Sequence, residues 1–484
     1  MLFNSPLYGV FLVVTYVVYW LLRGKTLART LFLVVASYVF YCVGTYDAAR
    51  EQDVPFGAVG WTLLCVAIIF VGSSLDFFIG KTLGRTEHPT KRKALLLVSI
   101  VYYLGVLAIF KYFNFFVDSF VSLAHLAGAE KVKPIHLELV LPFGISFFTF
   151  ETMSYTIDVY RREIEPSDRY LDYLLFVAFF PHLVAGPIVR PRQMLPQLAS
   201  EPNATDEQKG EGLFLIATGL MKKIVIGDTL GLNLVNRVFE QPERYSSLEV
   251  LIGVYAYAIK IYMDFSGYTD VARGSAKLFG LELPLNFDAP YTARNLQDFW
   301  HRWHISLSSW LRDYLYVPLG GNRHGSLMTY RNLMLTMILG GFWHGNKWTF
   351  VIWGFLHGAA LAVNRVWQRS GMPKVNPIVS VFLTFHFVCF AWIFFRAPSY
   401  PHAIAVLKRL TRLSIEAPNL APKVMAALAV GFLTHFIPKK QFEQLRDAFV
   451  RSPAVAQGVT LAACAYAIHF AAAAKAEPFI YGQF

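Results

Sequence analysis

The run GAVGWTLLCVAIIFVGSSLDFFI, residues 57–79, is long enough and apolar enough to cross a lipid bilayer as a helix. Such a helix needs about 20 mainly apolar residues, because the hydrocarbon core is about 30 Å thick and each helical residue rises about 1.5 Å. Eleven other runs meet this requirement: 7–22, 30–46, 94–113, 138–157, 171–189, 249–265, 330–345, 347–366, 376–396, 421–437 and 455–473. They predict an all-α integral membrane protein.

Two further apolar runs, 114–127 and 212–239, are ambiguous. The second carries Lys222 and Lys223 in its middle, which is typical of a segment lying along a membrane surface. Together the runs predict about 10 to 13 membrane helices, some of them re-entrant.

The composition of the whole chain agrees with this interpretation. Of 484 residues, 55% are hydrophobic and only 16% are charged, whereas globular proteins carry about 25% charged residues. The net charge of +12 comes from short basic clusters between the apolar runs, a loop pattern that argues against nucleic-acid binding. Since the longest polar stretch, 190–211, is too short for a soluble domain, we predict a single multi-pass membrane domain over residues 1–484.

Basic and non-basic loops alternate along the first part of the chain. Arg23, Lys25 and Arg29 follow the first span, and loop 80–93 is also basic, whereas loop 47–56 is net negative. By the positive-inside rule we expect the N-terminus outside. The N-terminus also lacks a basic stretch and a cleavage site, so we expect the first helix to be retained rather than removed as a signal peptide.

The stretch PYTARNLQDFWHRWHISLSSWLRDYLYVPLGGNR, residues 290–323, is the most informative for chemistry. Asn295 with Asp298 predicts a helix start, and Pro318 predicts its end. One continuous helix would be amphipathic, either in the membrane interface or beneath other helices. Its apolar arc would hold Trp300, Trp303, Leu307, Trp310, Leu311 and Tyr314, and its polar stripe Arg302, Ser306, Ser309 and Asp313.

Histidines in this region are the strongest candidates for chemistry. His304 lies beside the apolar arc and His301 at the edge of the polar side, so we expect His304 to be the more buried; taken alone, it is most simply a core residue. His344 ends an apolar run in LGGFWHG, 339–345. An ionisable group at membrane depth is a functional candidate, and the glycines let a backbone or ligand approach closely. His357, in WGFLHG, has a similar setting but no support from other motifs.

Two other stretches place polar groups in apolar runs. In YMDFSGYTD, 262–270, Asp264 and Asp270 either line a water-filled path or serve structure, with Asp264 capping a helix break; the structural interpretation is slightly favoured. In FFPHLVAGPIVR, 179–190, Pro and Gly residues interrupt an apolar run beside His182. Broken helices at membrane depth line cavities or are buried in protein, so His182 is either a polar lining residue or part of a kinked helix.

These stretches, in order and over nearly the whole chain, resemble the membrane-bound O-acyltransferase (MBOAT) family, and most of all its bacterial branch that includes alginate O-acetyltransferases. The segments PFGISFFTFETMSYTIDVYR, 142–161, and EPFIYGQF, 477–484, fit as well. The resemblance implies a ring of tilted helices around a buried tunnel, with the core at about residues 138–396. It also implies catalytic roles for His344, which matches the family's invariant histidine, and for His304, which matches its second site.

The resemblance further implies transfer of an acyl group, typically acetyl, from a cytoplasmic thioester such as acetyl-CoA toward an acceptor on the outer face of the bacterial inner membrane. Periplasmic acetyltransferase proteins would complete transfer to a polysaccharide: alginate, cellulose, another exopolysaccharide or peptidoglycan. No bound cofactor is expected. Candidate substrate or tunnel contacts are His301, Asp264, Asp270, His182, Trp303 and Trp343. Candidate contacts to the donor phosphates are Arg302, Arg312, Arg323 and Lys347, although ordinary anchoring at the membrane interface is the favoured interpretation of these basic residues.

We hypothesise that His344 is the general base on the acceptor hydroxyl and that His304 orients the acceptor or donates to the thioester carbonyl. A covalent acyl-enzyme is less favoured, because the chain has no Gly-x-Ser-x-Gly motif and no Cys beside a His. A di-iron enzyme is disfavoured because only His301 and His304 are closely spaced, so no metal site is predicted. A transporter of lipid-linked sugars or acyl carriers stays an alternative, since buried polar residues and broken helices suit it too.

Overall fold

The computed structural model describes residues 2–52, 54–137, 139–184, 186–373 and 375–472; the motif at 477–484 lies outside them. All regular secondary structure in these ranges is helical, which confirms the predicted all-α class. The chain forms two compact units, one of Met1–Gln208 with Ser275–Leu283 and the other of Lys209–Gly274 with Pro284–Phe484.

The described residues of the first unit contain eight complete α-helices. These are α1 (Pro6–Leu21), α2 (Thr26–Arg50), α3 (Gly57–Arg85), α4 (Pro89–Leu107), α5 (Phe113–Leu126), α6 (Ile145–Arg161), α7 (Tyr170–Ala178) and α8 (Pro191–Ala199). A π-helical turn, Ala108–Tyr112, joins α4 to α5. The ambiguous run 114–127 is therefore helical, as the continuation of the span before it.

The second unit contains most of α9 and α11 and all the later helices. These are α9 (Asp206–Leu220), α10 (Asn236–Glu240), α11 (Ser247–Leu278), α12 (Leu296–Arg302), α13 (Ile305–Leu311), α14 (Gly325–His344), α15 (Trp348–Arg369), α16 (Pro377–Arg396), α17 (Tyr400–Leu410), α18 (Pro422–His435), α19 (Lys439–Arg451) and α20 (Ala454–Ala471). The described part of this unit also contains π-helical segments at Met221–Asp228, Gly231–Val235 and Arg312–Tyr316 and short 3-10 helices at Pro242–Arg244 and Pro290–Thr292.

Six helices in the described ranges are long and apolar enough to cross a membrane by length and composition: Thr26–Arg50, Gly57–Arg85, Pro89–Leu126, Trp348–Arg369, Pro377–Arg396 and Ala454–Ala471. The multi-pass membrane character is thereby confirmed. Helix α1 is apolar but shorter. The predicted total of membrane and re-entrant helices stays a prediction, because other apolar helices are short or carry buried charges, as α11 does.

The predicted run 171–189 is not one helix. Helix α7 ends at Ala178, and an irregular segment follows, as the proline and glycine residues of 179–190 indicated. Phe180 lies beyond the helix, and its buried N–H is satisfied by donation to Ser37 Oγ at 3.2 Å.

Glycines allow two pairs of helices in the second unit to touch backbone to backbone. A Cβ at Gly341 of α14 would clash with the Phe350 carbonyl of α15, and one at Gly354 would clash with the Met337 carbonyl. Similarly, Gly219 and Gly267 meet where α9 packs on α11. The first pair fixes His344 against α15, and the second brings the lysines after α9 against the aspartates of α11.

Candidate active site

The segment 290–323 breaks at the residue that matters most for chemistry. The predicted single helix is wrong: α12 ends at Arg302, and α13 starts at Ile305. Between them His304 has φ 44° and ψ 55°, the left-handed conformation, which costs a residue with a Cβ on the order of 1–3 kcal/mol. The predicted start is correct, because Asn295 Oδ1 accepts from the Asp298 N–H at 2.9 Å.

Asn286 explains why the break is stable. Its backbone carbonyl accepts from the Ile305 N–H at 2.9 Å, and its Oδ1 accepts from the N–H and the hydroxyl of Ser306 at 3.1 and 2.9 Å. These are the first N–H groups of α13, which no partner within the helix can satisfy. A fully buried Asn therefore caps α13 from outside the helix and holds His304 in its strained conformation.

His304 is fully buried among aromatic rings, whereas His301 is exposed, so the predicted order of burial is confirmed. Its ring meets Phe265 edge-on at 4.6 Å and lies 6.5 Å from Phe287 in a stacked orientation. The adjacent Trp303 stacks on Phe299 at 5.7 Å. Burial lowers the pKa of His304 to about 3, so its imidazole is neutral near pH 7.

His344 is the last residue of α14 and is 3% exposed. Its ring meets Trp353 at 5.2 Å and an interplanar angle of 90°, and Phe395 at 5.2 Å. Gly345, directly after it, has no room for a side chain because Phe350 fills that space. Helix α14 thus places His344 against an aromatic wall, which consists of Trp353 of α15 and Phe395 of α16.

The two histidines face each other. Their ring centroids are 6.5 Å apart, and Trp343 lies 6.3 Å from His304 and 4.9 Å from His344. Both belong to the second unit, although 40 positions separate them in the sequence. Two imidazoles at this separation in dry surroundings can act on one reacting group, one moving a proton and the other fixing an oxygen.

Comparison with known proteins identifies the family of this chain. The family model for MBOAT, the membrane-bound O-acyltransferase family, matches residues 106–397. The chain belongs to the MBOAT family.

Relatives of this MBOAT chain carry different acyl-transfer names. A peptidoglycan O-acetyltransferase of Helicobacter pylori is 35% identical over 450 residues, covering 86% of this chain and 80% of the relative. A probable alginate O-acetylase AlgI of Pseudomonas aeruginosa is 37% identical over 418 residues, covering 84% and 76%. A teichoic acid D-alanyltransferase of Bacillus subtilis is 27% identical over 298 residues, covering 57% and 74%.

The predicted aspartates of this MBOAT protein are paired with lysines instead of standing beside the histidines. Lys223 Nζ lies 2.6 Å from Asp228 Oδ1 and 2.7 Å from Asp264 Oδ1, and all three side chains are buried. Lys222 Nζ lies 2.6 Å from Asp270 Oδ2. Lys223 is buried within the protein, because the carboxylates of α11 and of the π-helical segment offset the cost of burying its charge. Whether the run lies along a membrane surface stays a prediction.

The helix break suggested at Asp264 is also absent, since α11 runs without interruption from Ser247 to Leu278. Asp264 is therefore part of an ion-pair network and caps no helix end. The predicted capping role of Asp264 is therefore wrong, whereas the alternative, that the two aspartates line a water-filled path, stays a prediction.

His182 belongs to the first unit and is braced by a carboxylate. Its Nδ1 lies 3.0 Å from Glu151 Oε1, which also accepts from the Val189 N–H at 2.9 Å. Both side chains are fully buried, and a side chain at Gly186 would clash with the His182 backbone. The pair ties the irregular segment after α7 to α6, whereas a lining role for His182 stays a prediction.

The basic residues near the two histidines are less uniform than the sequence suggested. Arg302 Nε donates to Asp298 at 2.7 Å, and the exposed Arg312 donates to its neighbour Asp313 at 2.8 Å. Arg323 is exposed. Their contacts with donor phosphates stay predictions, but Arg302 already has a structural partner one helical turn away.

Sequence reasoning missed two features of the site. Asn286 has no local signal, because it acts on a residue 20 positions later. His357 was noticed but not placed: it is fully buried, 4.7 Å from Trp353 and 5.3 Å from Trp300, and its ring nitrogens make no hydrogen bond within the described residues. Trp353 thus separates His357 from His344.

Proposed function

We propose that this membrane O-acyltransferase moves an acetyl group from a cytoplasmic thioester, acetyl-CoA, toward an outer-face acceptor for O-acetylation of an exopolysaccharide such as alginate. The observation that carries the proposal is the facing pair His304 and His344 in an aromatic, buried setting of an MBOAT chain. We place the protein in the bacterial inner membrane with its N-terminus outside and with periplasmic acetyltransferase partners. Neither a cofactor nor a metal ion is required by this chemistry.

In the proposed mechanism His344 is the general base. It accepts the proton of the acceptor hydroxyl as the oxygen attacks the thioester carbonyl carbon. The tetrahedral intermediate then collapses, the C–S bond breaks, and the leaving thiolate takes up the proton. His304 acts as a hydrogen-bond donor to the carbonyl oxygen or to the acceptor, and its neutral form keeps one N–H for this purpose.

The buried aromatic surroundings support this division of labour. Exclusion of water strengthens each hydrogen bond to the developing oxyanion, and rigid rings fix the two imidazoles relative to each other. The strained backbone of His304, held by Asn286, is typical of a residue whose side-chain direction is constrained for chemistry.

The experiment is His344→Ala in the native host, with the O-acetyl content of each surface polymer as the measurement. Loss of a general base costs about 10²–10⁴-fold in rate, so acetylation of one polymer should vanish while its synthesis continues. His324→Ala is the matched control, because His324 is exposed and precedes the other end of the same helix. Both variants must reach the membrane at normal levels, and retention of more than half the acetylation in His344→Ala would refute the base assignment.

Peptidoglycan is the second candidate acceptor. The supporting observation is that the Helicobacter pylori peptidoglycan O-acetyltransferase matches this chain about as well as the Pseudomonas aeruginosa alginate relative does. The same host experiment separates them, since the polymer that loses its acetyl groups is the acceptor. Unchanged acetylation of every polymer would favour the transporter alternative, and a labelled acyl group trapped on the protein would favour an acyl-enzyme.

A further inference from the structure

A concave apolar cavity of about 450 Å³ opens in the second unit, and neither His304 nor His344 is part of its lining. Its volume lies within the range of about 300–1,000 Å³ that is usual for small-molecule sites. Most of its walls are aliphatic or aromatic, and one cation, Arg294, is part of the lining. Besides Arg294, the lining includes Tyr291, Ile378, Val381, Phe382, Phe385 and Phe432.

The cavity is graded from a buried floor to an exposed rim. Tyr291 forms the floor: it is 2% exposed, and its ring meets Phe385 edge-on at 5.4 Å. Its backbone N–H donates to His435 Nε2 at 3.1 Å, and its hydroxyl donates to the Ala258 carbonyl at 2.6 Å, so the floor is fixed. At the rim, Ile378 is 80% exposed and Phe382 59% exposed.

The elements around the cavity place it at the end of a membrane span. Pro377 and Ile378 are the first residues of α16, one of the helices apolar enough to cross the bilayer. Phe436 directly follows the last residue of α18. The amphipathic α19 begins three residues later with the exposed pair Lys439 and Lys440, the pattern of a helix lying in the membrane interface.

The basic residues at this end of the membrane span favour anionic lipids over neutral ones. Arg294 is exposed and contributes to the cavity lining, and Lys439 and Lys440 follow Phe436 closely in the chain. Cations at the interface attract anionic headgroups, and a guanidinium can bind a phosphate through two hydrogen bonds. An apolar cavity with one exposed guanidinium in its lining is therefore complementary to a molecule that places an acyl chain inside the cavity and a phosphate outside it.

We propose that this cavity binds one acyl chain of an anionic phospholipid, with the lipid phosphate at the guanidinium of Arg294. The bound chain lies against Phe385 and Phe432 and reaches the ring of Tyr291. Lipid binding in this cavity does not depend on which polymer accepts the acyl group.

The test uses the full-length protein in nanodiscs of phosphatidylcholine containing a small fraction of phosphatidylglycerol with a photoreactive group on one acyl chain. After illumination, cross-linked peptides are mapped by mass spectrometry. We expect labelling at the helix segments that carry Val381, Phe385 and Phe432, competed by unlabelled phosphatidylglycerol. The same photoreactive group on phosphatidylcholine should label these segments about fivefold less, the preference expected from one basic residue near the surface.

Two variants with matched controls complete the test. Val381→Trp fills the cavity and should reduce labelling at least about tenfold, whereas Leu433→Trp adds the same ring at an exposed neighbour of Phe432 outside the lining and should not. Arg294→Gln should remove the preference for the anionic lipid, whereas Lys423→Gln, at the start of α18, should keep it. A thermal melt of each variant confirms folding.

Three results would each overturn the proposal. Equal labelling by the two lipids means ordinary contact with the surrounding bilayer. Undiminished labelling of folded Val381→Trp means that the chain does not enter the cavity. Labelling confined to other helices means that the anionic lipid binds elsewhere on the protein.

Discussion

Two regions of the second unit bury polar side chains, and the surroundings of these side chains differ. Around Lys223 full charges are buried, and its ammonium group lies within 2.7 Å of the carboxylates of Asp228 and Asp264. Around His304 and His344 imidazoles are buried among aromatic rings, and the backbone is strained. A matched network stabilises one arrangement, whereas imidazoles held against rings keep a proton-transfer group available. The surroundings of a buried polar side chain, carboxylates in one region and aromatic rings in the other, therefore distinguish a structural cluster from a candidate active site better than burial does.

The largest expected effect on stability is in the ion network. Lys223→Met should remove the closest cation of Asp228 and Asp264 and leave Lys260, 3.9 Å from Asp264, as a more distant one. Breaking a buried pair in this way costs about 3–5 kcal/mol of the free energy of unfolding. Denaturant titration of the purified protein in detergent measures it. Lys408→Met, on α17, is the control, and a loss under 1 kcal/mol for Lys223→Met would show that the two regions do not differ as argued.

The pH dependence of stability tests whether His304 is buried in its neutral form. The pKa of His304 is lowered from 6.5 to about 3 in the folded protein, so between these values the unfolded state binds more protons and stability falls as pH falls. The loss attributable to His304 at pH 5 relative to neutral pH is about 2 kcal/mol.

The non-titrating His304→Asn variant isolates this contribution. Unfolding of the two proteins is followed at pH 7 and at pH 5, and the variant should lose less stability on acidification by the same amount. Identical pH slopes would mean that His304 is not buried in its neutral form.

Asn286→Ala tests whether the break between α12 and α13 is what positions His304. Loss of a helix cap costs about 0.5–2 kcal/mol of the free energy of unfolding. Because His304 would no longer be held in its conformation, acyl transfer should fall by more than the loss of stability explains. Asn233→Ala, at an exposed Asn of the same unit, is the control. Normal transfer rates in a destabilised Asn286→Ala protein would reduce Asn286 to a structural role.

These residues also show what the sequence could predict. Apolar run length gave the all-α membrane class, and the order of burial of His301 and His304 followed from one helical wheel. The break at His304 did not follow, because propensity and periodicity are local whereas the cap comes from Asn286, 20 residues away. The pairing of Lys223 with Asp264 was missed for a related reason: it depends on the close approach of α9 and α11 at glycines, which periodicity does not encode.

The smallest expected effect belongs to His357, which tests whether burial among rings suffices to mark a functional histidine. Its ring nitrogens make no hydrogen bond within the described residues, so replacing the imidazole with an apolar ring removes no partner and relieves a desolvation cost. His357→Phe should therefore change the free energy of unfolding by less than about 1.5 kcal/mol and leave acyl transfer near its original level. If His357→Phe lost acyl transfer as His344→Ala does, with unchanged stability, His357 would belong to the candidate active site. Trp353, which lies between His357 and His344, would then belong to it as well.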